Sequence, residues 1–524
     1  MRVILSVLLV SAAAGVLFAA DPEPGWPQVN GPFGNFNPRR YGHALVDDMA
    51  RARPVWTSEF NGLGYGKTSV SGFVVSRATW PGHPGSANGI IAAEGMIFAS
   101  SFRPAGDVWA ESWARDDMFG RFTPDQQAHL RRSLSIDADD LVVAIDAATG
   151  RTVWKAIEAG KGLFRGMGKR NGWGVTPAYH GGRVFSMGTT GRLYCYSAKD
   201  GEKLWEGDIG EAHQEWEAEK EAHLERRSLT SGNQWVSLIV ADGVPVVPLY
   251  DGHDMSLRGL DVQTGETLWE VPAATARTAT PALWRHRGRE YVLTATHGGG
   301  NFRQGRLRLI DPKDGKVLWT VEGLGNTHVS LAPSDQHVLV NVGSEGEGHG
   351  RAPWMLLGAY RLSPEKAEHA WTMPDECDFR HEARFEASDW RKYLIRDGRV
   401  YYYSRCRDDE NRVVEVFSIL DESTGEVLYR QRGRGEADVP SHGQQYLVED
   451  RLLQVPDASH GGRLTLRLWT ADPTDFRPLS PAWNPPHTGT TAYNVFMEIP
   501  YVDGRIFMRA QDGTVRCYDL RKQD

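Results

Sequence analysis

The stretch Asp146-Ala-Ala-Thr-Gly-Arg-Thr-Val-Trp154 decides how this chain folds, because versions of it return about every 50 residues. In each version a short apolar run reaches an acidic or glycine turn, and a Trp or its substitute stands eight residues later. The other versions are Ser197 to Trp205, Asp261 to Trp269, Asp311 to Trp319, Asp421 to Tyr429, the weaker Leu362 to Trp371 and Leu468 to Phe476, and a last one ending at Asp519. A repeat of this length, built only of strands and turns, predicts a circular or stacked array.

A second signal alternates with the first. Turns such as Asp242-Gly243, Asp397-Gly398 and Asp503-Gly504 precede short runs rich in β-branched and aromatic residues, and eight such turns occur. Gly supplies the positive φ of a tight hairpin turn. Each unit therefore contains four strands, A to D, with an A–B turn from the second signal and a C–D turn from the first. We predict an all-β fold, an eight-bladed β-propeller of four-stranded antiparallel blades.

The two ends of the repeat region predict how the ring closes. The repeats occupy residues 53–522, and the last unit stops after its strand C. Residues 53–60 have the pattern of an outer strand, so we expect them to complete the eighth blade. Residues 21–52 are expected to form an extended N-terminal segment.

The first 20 residues have the composition of a secretory signal peptide. Arg2 gives a positive start, an apolar run follows from Val3, and Leu17-Phe18-Ala19 fits a small-residue cleavage site. A membrane anchor is the alternative, but the run ends before a polar, proline-rich stretch. No later segment approaches the roughly 20 apolar residues of a transmembrane helix. We therefore expect an exported, periplasmic or secreted protein, without a lipid-anchor Cys and without a transmembrane span.

Charge and cysteine content narrow the class further. A net charge of −8 over 524 residues argues against nucleic-acid binding, which requires a basic face. Cys195 and Cys517 occupy the same strand position in two repeats and are expected to be buried core residues. Cys377 and Cys406 fall in predicted loops, and in an exported protein they are candidates for a disulfide.

Three insertions interrupt the regular spacing, at residues 103–136, 206–231 and 373–389. The first carries a capping box at Thr123 to Gln126 and the second is rich in Glu, Ala and Lys, so both are predicted to contain helix. All three are D–A or B–C loops, which emerge on the same face of a propeller. One face is therefore predicted to be elaborated by loops and the other plain.

Histidines and aromatic residues outside the repeat concentrate on the elaborated face. Neutral imidazole suits Cu or Zn and can also transfer protons, but no His-x-x-x-His spacing occurs, and solvated turn residues are the alternative. An aromatic ring at a channel mouth can stack on a ligand, with an amide as polar partner; packing beneath the loops is the alternative. The candidate ligand-binding residues are Trp173, Asn233, Trp235, His253, His297, His328, His442 and His460.

The repeat resembles the PQQ-type β-propeller family, whose blades carry an Asp-x-x-Thr-Gly-x-x-x-Trp docking signature. The resemblance covers residues 53–522, and the segment beginning Trp26-Pro-Gln-Val also resembles the start of secreted members. In that family the Trp stacks against the neighbouring blade. The resemblance therefore implies scaffold roles for Trp154, Trp205, Trp269 and Trp319.

The resemblance implies two kinds of activity. Some members are quinoprotein alcohol or sugar dehydrogenases that hold PQQ and Ca²⁺ at the channel mouth, and others resemble an outer-membrane assembly lipoprotein that binds partner proteins. This chain lacks the adjacent Cys pair of the alcohol dehydrogenases, a Cys-x-x-Cys-His haem site, and the lipid-anchor Cys of the assembly factor.

We expect an exported, non-catalytic binding scaffold, a monomer, with a protein partner or a small polar ligand at the channel mouth. The alternative is a divergent PQQ- and Ca²⁺-dependent dehydrogenase that oxidises an alcohol or a sugar. A metal-dependent enzyme that uses the histidines is a third reading.

Overall fold

The computed structural model describes most of the repeat region and the segment before it. The described residues are 25–63, 89–108, 124, 135–163, 175–208, 236–249, 254–276, 279–296, 305–325, 330–342, 357–373, 393–407, 412–433, 439–440, 443–456, 465–486, 498–510 and 512–523. Residues 1–20, most of the three predicted insertions and Cys377 lie outside these ranges, and the side chain of Cys406 is not described either. Within the described ranges, no helix is long and apolar enough to cross a membrane.

Eight antiparallel sheets follow one another along the chain and form the blades. A turn of 3-10 helix (Met49–Arg51) and β1 (Arg53–Thr57) come before the first blade. Blade one contains β2 (Ile90–Ala93), β3 (Met96–Val108), β4 (Ser135–Asp146) and β5 (Thr152–Leu163). Blade two contains β6 (Ala178–His180), β7 (Arg183–Met187), β8 (Arg192–Ser197) and β9 (Lys203–Asp208). Blade three contains β10 (Ile239–Ala241), β11 (Val244–Leu249), β12 (Asp254–Leu260) and β13 (Thr267–Ala276).

The remaining blades continue the same order. Blade four contains β14 (Ala282–His286), β15 (Arg289–Ala295), β16 (Gly305–Ile310) and β17 (Val317–Leu324). Blade five contains β18 (His337–Asn341), β19 (Leu357–Leu362) and β20 (Ala367–Thr372). Blade six contains β21 (Tyr393–Arg396), β22 (Arg399–Arg407), β23 (Val413–Asp421) and β24 (Val427–Gly433). Blade seven contains β25 (Gly443–Val448), β26 (Arg451–Pro456) and β27 (Arg467–Thr470), and blade eight contains β28 (Tyr501–Val502), β29 (Arg505–Arg509) and β30 (Val515–Asp519).

The predicted eight-bladed propeller is confirmed, with a difference in two blades. Blades five and seven show three strands among their described residues, whereas the other six have four. In blade seven the outer position is taken by a chain segment that makes only isolated bridges, Leu466 to Trp483 and Trp469 to Pro478. Proline cannot donate a ladder hydrogen bond, which explains why no regular strand forms there. These are also the two blades with the weakest sequence repeats.

The A–B turns have the geometry that their sequences predict. In blade three both turn residues have positive φ, 46° at Asp242 and 79° at Gly243, and blades one, two, four, six and eight repeat this pattern. Two consecutive positive φ values define the type I′ turn, whose twist matches that of the paired strands. Pro177 and Pro281 directly precede the inner strands β6 and β14, and a proline in these positions removes no ladder hydrogen bond.

The first strand of the chain closes the ring. β1 pairs antiparallel with β30 and is the outer strand of the blade whose other strands are the last three of the chain. Arg53 on β1 forms an ion pair with Asp519 on β30 at 2.8 Å. The indole N–H of Trp56 then donates to the carbonyl of Ala147 in blade one at 3.0 Å. Both ends of the chain therefore meet within one blade.

Successive blades are joined by the repeated tryptophans. Each indole N–H donates to a backbone carbonyl in the C–D turn region of the next blade: Trp154 to Ala198, Trp205 to Val262, Trp269 to Pro312, Trp319 to Ser363 and Trp371 to Glu422. The rings also lie against the turn glycines, so that a Cβ built on Gly201 would come within 2.6 Å of the ring of Trp154. The scaffold role of these tryptophans is thus borne out by direct contacts.

The core lies between the blades and contains both described cysteines. Cys195 on β8 and Cys517 on β30 are buried, free thiols, as expected for small core residues. Burial raises the pKa of Cys195 to about 11 and that of Cys517 to about 12, which keeps both thiols protonated at neutral pH.

Candidate functional site

The loop end of the blades is where the sequence places its candidate ligand-binding residues. In an antiparallel blade the start of strand A, the B–C connection and the end of strand D share one end, which we call the loop end. All eight candidates, Trp173, Asn233, Trp235, His253, His297, His328, His442 and His460, lie outside the described residues. Their described chain neighbours all stand at the loop end: Val236 follows Trp235, Asp254 follows His253, and Gly443 follows His442.

A row of buried hydroxyl groups connects the inner strands just below this end. The amide N–H of Gly89 donates to Thr176 Oγ1 at 2.9 Å, that of Thr176 to Ser237 Oγ at 3.0 Å, and that of Ser237 to Thr280 Oγ1 at 3.1 Å. Each bond joins one blade to the next, from blade one to blade four. The hydroxyls thus hold the starts of the inner strands at fixed spacing, and Thr176 and Ser237 follow Trp173 and Trp235 closely in the sequence.

A buried carboxyl group continues the inner polar layer into blades eight and seven. Glu498 immediately precedes the inner strand region of blade eight and is buried. Its Oε2 lies 3.4 Å from the hydroxyl of Tyr446 in blade seven, and that hydroxyl accepts the amide N–H of Ile499 at 3.1 Å. A Cβ on Gly89 would come within 2.8 Å of Glu498, so this glycine permits blades eight and one to approach closely.

The opposite end of the axis, formed by the A–B turns, is occupied by the segment that precedes the propeller. We call residues 25–46 the belt, because they contact the eight blades in order. Trp26 exchanges two backbone hydrogen bonds with Ala92 in blade one, at 2.6 and 2.9 Å. Tyr179 in blade two donates its N–H to the carbonyl of Pro27 at 2.7 Å, and Val240 in blade three donates to Gln28 Oε1 at 2.9 Å.

Three asparagines continue the belt around the axis. Their amide groups donate to backbone carbonyls in the inner strand regions: Asn30 to Pro281 at 3.1 Å, Asn35 to Pro333 at 3.0 Å and Asn37 to Ile395 at 2.8 Å. These contacts reach blades four, five and six in turn. The inner strands have no neighbour on the axis side, and the belt supplies partners for their exposed backbone groups.

The belt ends on a buried carboxylate in blade seven and a backbone ladder in blade eight. Glu449 accepts the N–H of Tyr41 at 3.0 Å, the N–H of Gly42 at 3.1 Å and the hydroxyl of Tyr501 at 2.7 Å. Burial and the adjacent Glu449 raise the pKa of Tyr501, so its hydroxyl remains a donor. In blade eight the N–H of Val46 donates to the carbonyl of Leu520 at 2.8 Å.

Side-chain burial makes the belt part of the core. Trp26 is fully buried and meets Tyr446 edge-on at 5.7 Å between ring centroids. Val29 and Phe36 are also buried and pack into clusters of blades three to seven. The belt therefore packs against the inner strands at the A–B end of the axis, and the three predicted insertions attach to strands at the loop end.

The sequence of residues 21–52 predicts an extended segment and does not predict contacts with the blades. The spacing of Asn30, Asn35 and Asn37 among Gly and Pro was the signal for the belt, since amides on an extended chain are suited to capping strand edges. For these amides to cap strands, a row of strand edges must lie beside the segment. Only the closed ring forms such a row.

The described residues do not form a metal site. No group of three or more His, Cys, Asp or Glu side chains among them is arranged to hold a metal ion. The buried hydroxyls of Thr176, Ser237 and Thr280 already accept backbone N–H groups.

Comparison with known proteins agrees with this architecture. A family model described as outer membrane protein assembly factor BamB matches residues 138–340. The quinohemoprotein alcohol dehydrogenase from Comamonas testosteroni superimposes with a TM-score of 0.51 at 12% identity, covering 97% of this chain and 82% of that one. The chain has the PQQ-like β-propeller fold. BamB from Moraxella catarrhalis gives a TM-score of 0.46 at 12% identity, with 75% of this chain and 94% of that one covered. No curated protein matches this PQQ-like propeller by sequence.

Proposed function

We propose that this chain is an exported, non-catalytic binding scaffold that uses the loop end of its propeller to hold a partner. The observation that carries the proposal is the belt. It occupies the A–B end of the axis and makes hydrogen bonds to every blade, so binding at the axis is left to the other end. The three insertions and all eight candidate residues attach to strands at that other end.

The chemistry of the candidates supports a protein or a small polar ligand. Trp173 and Trp235 would supply flat apolar surfaces, and Asn233 would supply a paired donor and acceptor. The histidines at positions 253, 297, 328, 442 and 460 would add polar contacts around the axis. The matching family model is named for an assembly factor, a class of protein that works through protein partners, and this favours a protein partner over a small ligand.

Position-specific cross-linking tests the proposal. A photo-crosslinking amino acid placed at Trp235 or His442 is expected to give the same discrete product in cells that produce the protein. The matched control is the same amino acid at Arg40, whose side chain is half exposed at the A–B end. A product from Arg40 but not from the two loop-end positions would contradict the proposal.

The mass of the purified protein tests export. Loss of residues 1–20 is expected, and a full-length mass contradicts it.

Calorimetric titration with PQQ, with and without Ca²⁺, separates the proposal from the dehydrogenase alternative. We expect no saturable binding up to high micromolar PQQ. One-to-one binding that requires Ca²⁺ would replace the scaffold proposal by a quinoprotein dehydrogenase, and a screen of alcohols and aldoses would follow.

A further inference from the structure

The hairpin of blade one extends beyond its neighbour at the loop end. Its strand β4 has 12 residues, whereas β8, the corresponding strand of blade two, has six. Pairing between β3 and β4 continues through Pro104 with Ala138 to Val108 with Ser135. The tight turn between β7 and β8 therefore meets the side of the longer β3–β4 hairpin. The contact lies at Asp140, well before the described end of that hairpin at Val108 and Ser135, and we call this part its base.

One buried carboxyl group joins the two blades at this point. Asp140 on β4 accepts two hydrogen bonds from Thr189 in the turn of blade two, from its N–H and from its Oγ1, each at 3.0 Å. The hydroxyl of Tyr194 on β8 donates to the other oxygen at 3.1 Å. All three residues are buried. Another hydrogen bond crosses the same junction, from Thr190 Oγ1 to the carbonyl of Lys161 at 3.1 Å.

The surroundings of the carboxyl group are tightly packed. A Cβ built on Gly188 would lie 2.0 Å from Oδ2 of Asp140, and one on Gly162 would lie 2.8 Å from Oδ1. Only glycine at these two positions, one in each blade, leaves room for the carboxyl group. The site therefore fits Asp140 closely on both sides and keeps solvent away from it.

The charged groups around Asp140 are engaged with one another. Arg103 on β3 binds Asp139 at 2.8 Å, and Lys203 on β9 binds both Glu158 and Glu206, at 2.9 and 2.8 Å. Three other charged and titratable groups among the described residues lie at the junction. Lys161 on β5 and Arg192 on β8 contact Glu206, and Tyr196 on β8 contacts Glu158. The hydrogen bonds that described residues make to Asp140 come from an amide and two hydroxyls, and none comes from a cation.

We propose that Asp140 is a proton-controlled latch that holds the base of the blade-one hairpin to blade two, more firmly when its carboxyl group is protonated. Burial raises the pKa of Asp140 to about 6, although the hydrogen bonds from Thr189 and Tyr194 act in the opposite direction. In the opened state water surrounds the carboxyl group and its pKa is the ordinary 3.8. The closed latch therefore binds the proton more tightly than the open one. Its extra stability is complete below pH about 4 and is lost as the pH rises through about 6.

The consequence for binding rests on the proposed function. The hairpin rises at the loop end, where the partner is proposed to bind, so raising the pH would loosen one side of that surface. The latch itself is a property of the free protein and is tested without a partner. A failure of the latch test and a failure of the partner test are therefore distinguishable.

Amide hydrogen exchange of the full-length mature protein tests the latch. The opening equilibrium constant of peptides that contain Thr189 is expected to rise by about one order of magnitude between pH 5 and pH 7.5, after correction for intrinsic exchange. Asp140→Asn keeps the shape of the protonated group, so its opening constant should stay the same across this range. A wild-type opening constant that does not change with pH would overturn the proposal.

Two further variants test whether Asp140 causes the pH dependence. Asp139→Asn removes the neighbouring carboxylate, whose contacts with Arg103 and Gly160 stay within blade one, and it should leave the pH dependence unchanged. If Asp140→Asn does not fold, Tyr194→Phe still decides the question. Loss of its hydroxyl removes a bond that lowers the pKa of Asp140, so the transition in exchange should move to higher pH. A transition that stays in place, or that disappears in Asp139→Asn, contradicts the latch.

Discussion

At the scale of single residues, the docking of one blade on the next depends on glycines that meet tryptophan rings. Gly201 has a φ of 76° and its α-carbon lies against the ring of Trp154, and the same arrangement joins Gly265 to Trp205 and Gly315 to Trp269. The two requirements, a left-handed backbone and free space, are separate physical constraints. Position 201 combines them, whereas Gly95 has a φ of 73° with no atom within 4 Å of a built Cβ.

Alanine at these two positions separates strain from close packing. Gly95→Ala should cost about 1 kcal/mol, the price of a left-handed backbone with a Cβ. Gly201→Ala should cost about 1 to 3 kcal/mol more, because its Cβ would overlap the ring of Trp154. Denaturant unfolding of both variants measures the difference. Equal losses of unfolding free energy would show that the ring moves aside without cost.

Residue-scale features differ in how well the sequence reveals them. The roles of Trp154 and Gly201 could be predicted because their motif repeats and its contacts have the same form in each blade. Asp140 could not be identified, since nothing in the stretch Asp139-Asp140-Leu141 distinguishes a buried carboxyl group from an exposed one. Its burial is caused by Thr189, Tyr194 and Gly188, which belong to another blade.

At the scale of elements, Glu449 joins the belt to two blades. This buried carboxylate accepts two backbone N–H groups of the belt and one hydroxyl of blade eight. It thereby connects the belt to blades seven and eight. The neighbouring contact of the belt, the ion pair of Arg40 with Asp397, lies at the surface with both side chains about half exposed.

Removal of these two carboxylates should have different effects on the belt. Glu449→Ala leaves the N–H groups of Tyr41 and Gly42 and the buried hydroxyl of Tyr501 without their acceptor, and should destabilise the fold by about 2 to 3 kcal/mol. Asp397→Ala breaks an exposed pair and should cost at most about 1 kcal/mol. Limited proteolysis within residues 25–46, followed by mass spectrometry, reads out release of the belt. Faster cleavage in Asp397→Ala than in Glu449→Ala would reverse this assignment.

At the scale of the whole molecule, both ends of the chain hold the ring closed. β1 completes the last blade, and the belt then covers the inner ends of all eight blades. Neither element is near its partners in sequence, since Arg53 pairs with Asp519. Contacts of such long separation are expected to form late, after the blades between them.

A chain without residues 25–46 tests how far the closed ring depends on the belt. The deletion exposes inner strand ends and removes the buried apolar side chains of Trp26, Val29, Phe36, Leu45 and Val46. We therefore expect a loss of about 5 kcal/mol or more. The melting temperature should fall accordingly, and a peptide of residues 25–46 added in trans should raise it in proportion to the logarithm of its concentration. The same peptide with Trp26→Ala is the control. A deletion variant as stable as the full chain would show that the belt lies on the ring without holding it.

The sequence by itself determined the repeat, and through it the number of blades, the hairpin turns and the docking tryptophans. These features are local or recur at a fixed interval, so each unit specifies its own strands and its contact with the next unit. Only the tertiary structure decided that the N-terminal segment is a belt and that Asp140 is buried between blades. Both depend on surfaces that exist only after the ring has closed, namely the row of inner strand ends and the junction of a long hairpin with a short turn. No local pattern encodes such surfaces, because the residues that form them are distant in the chain.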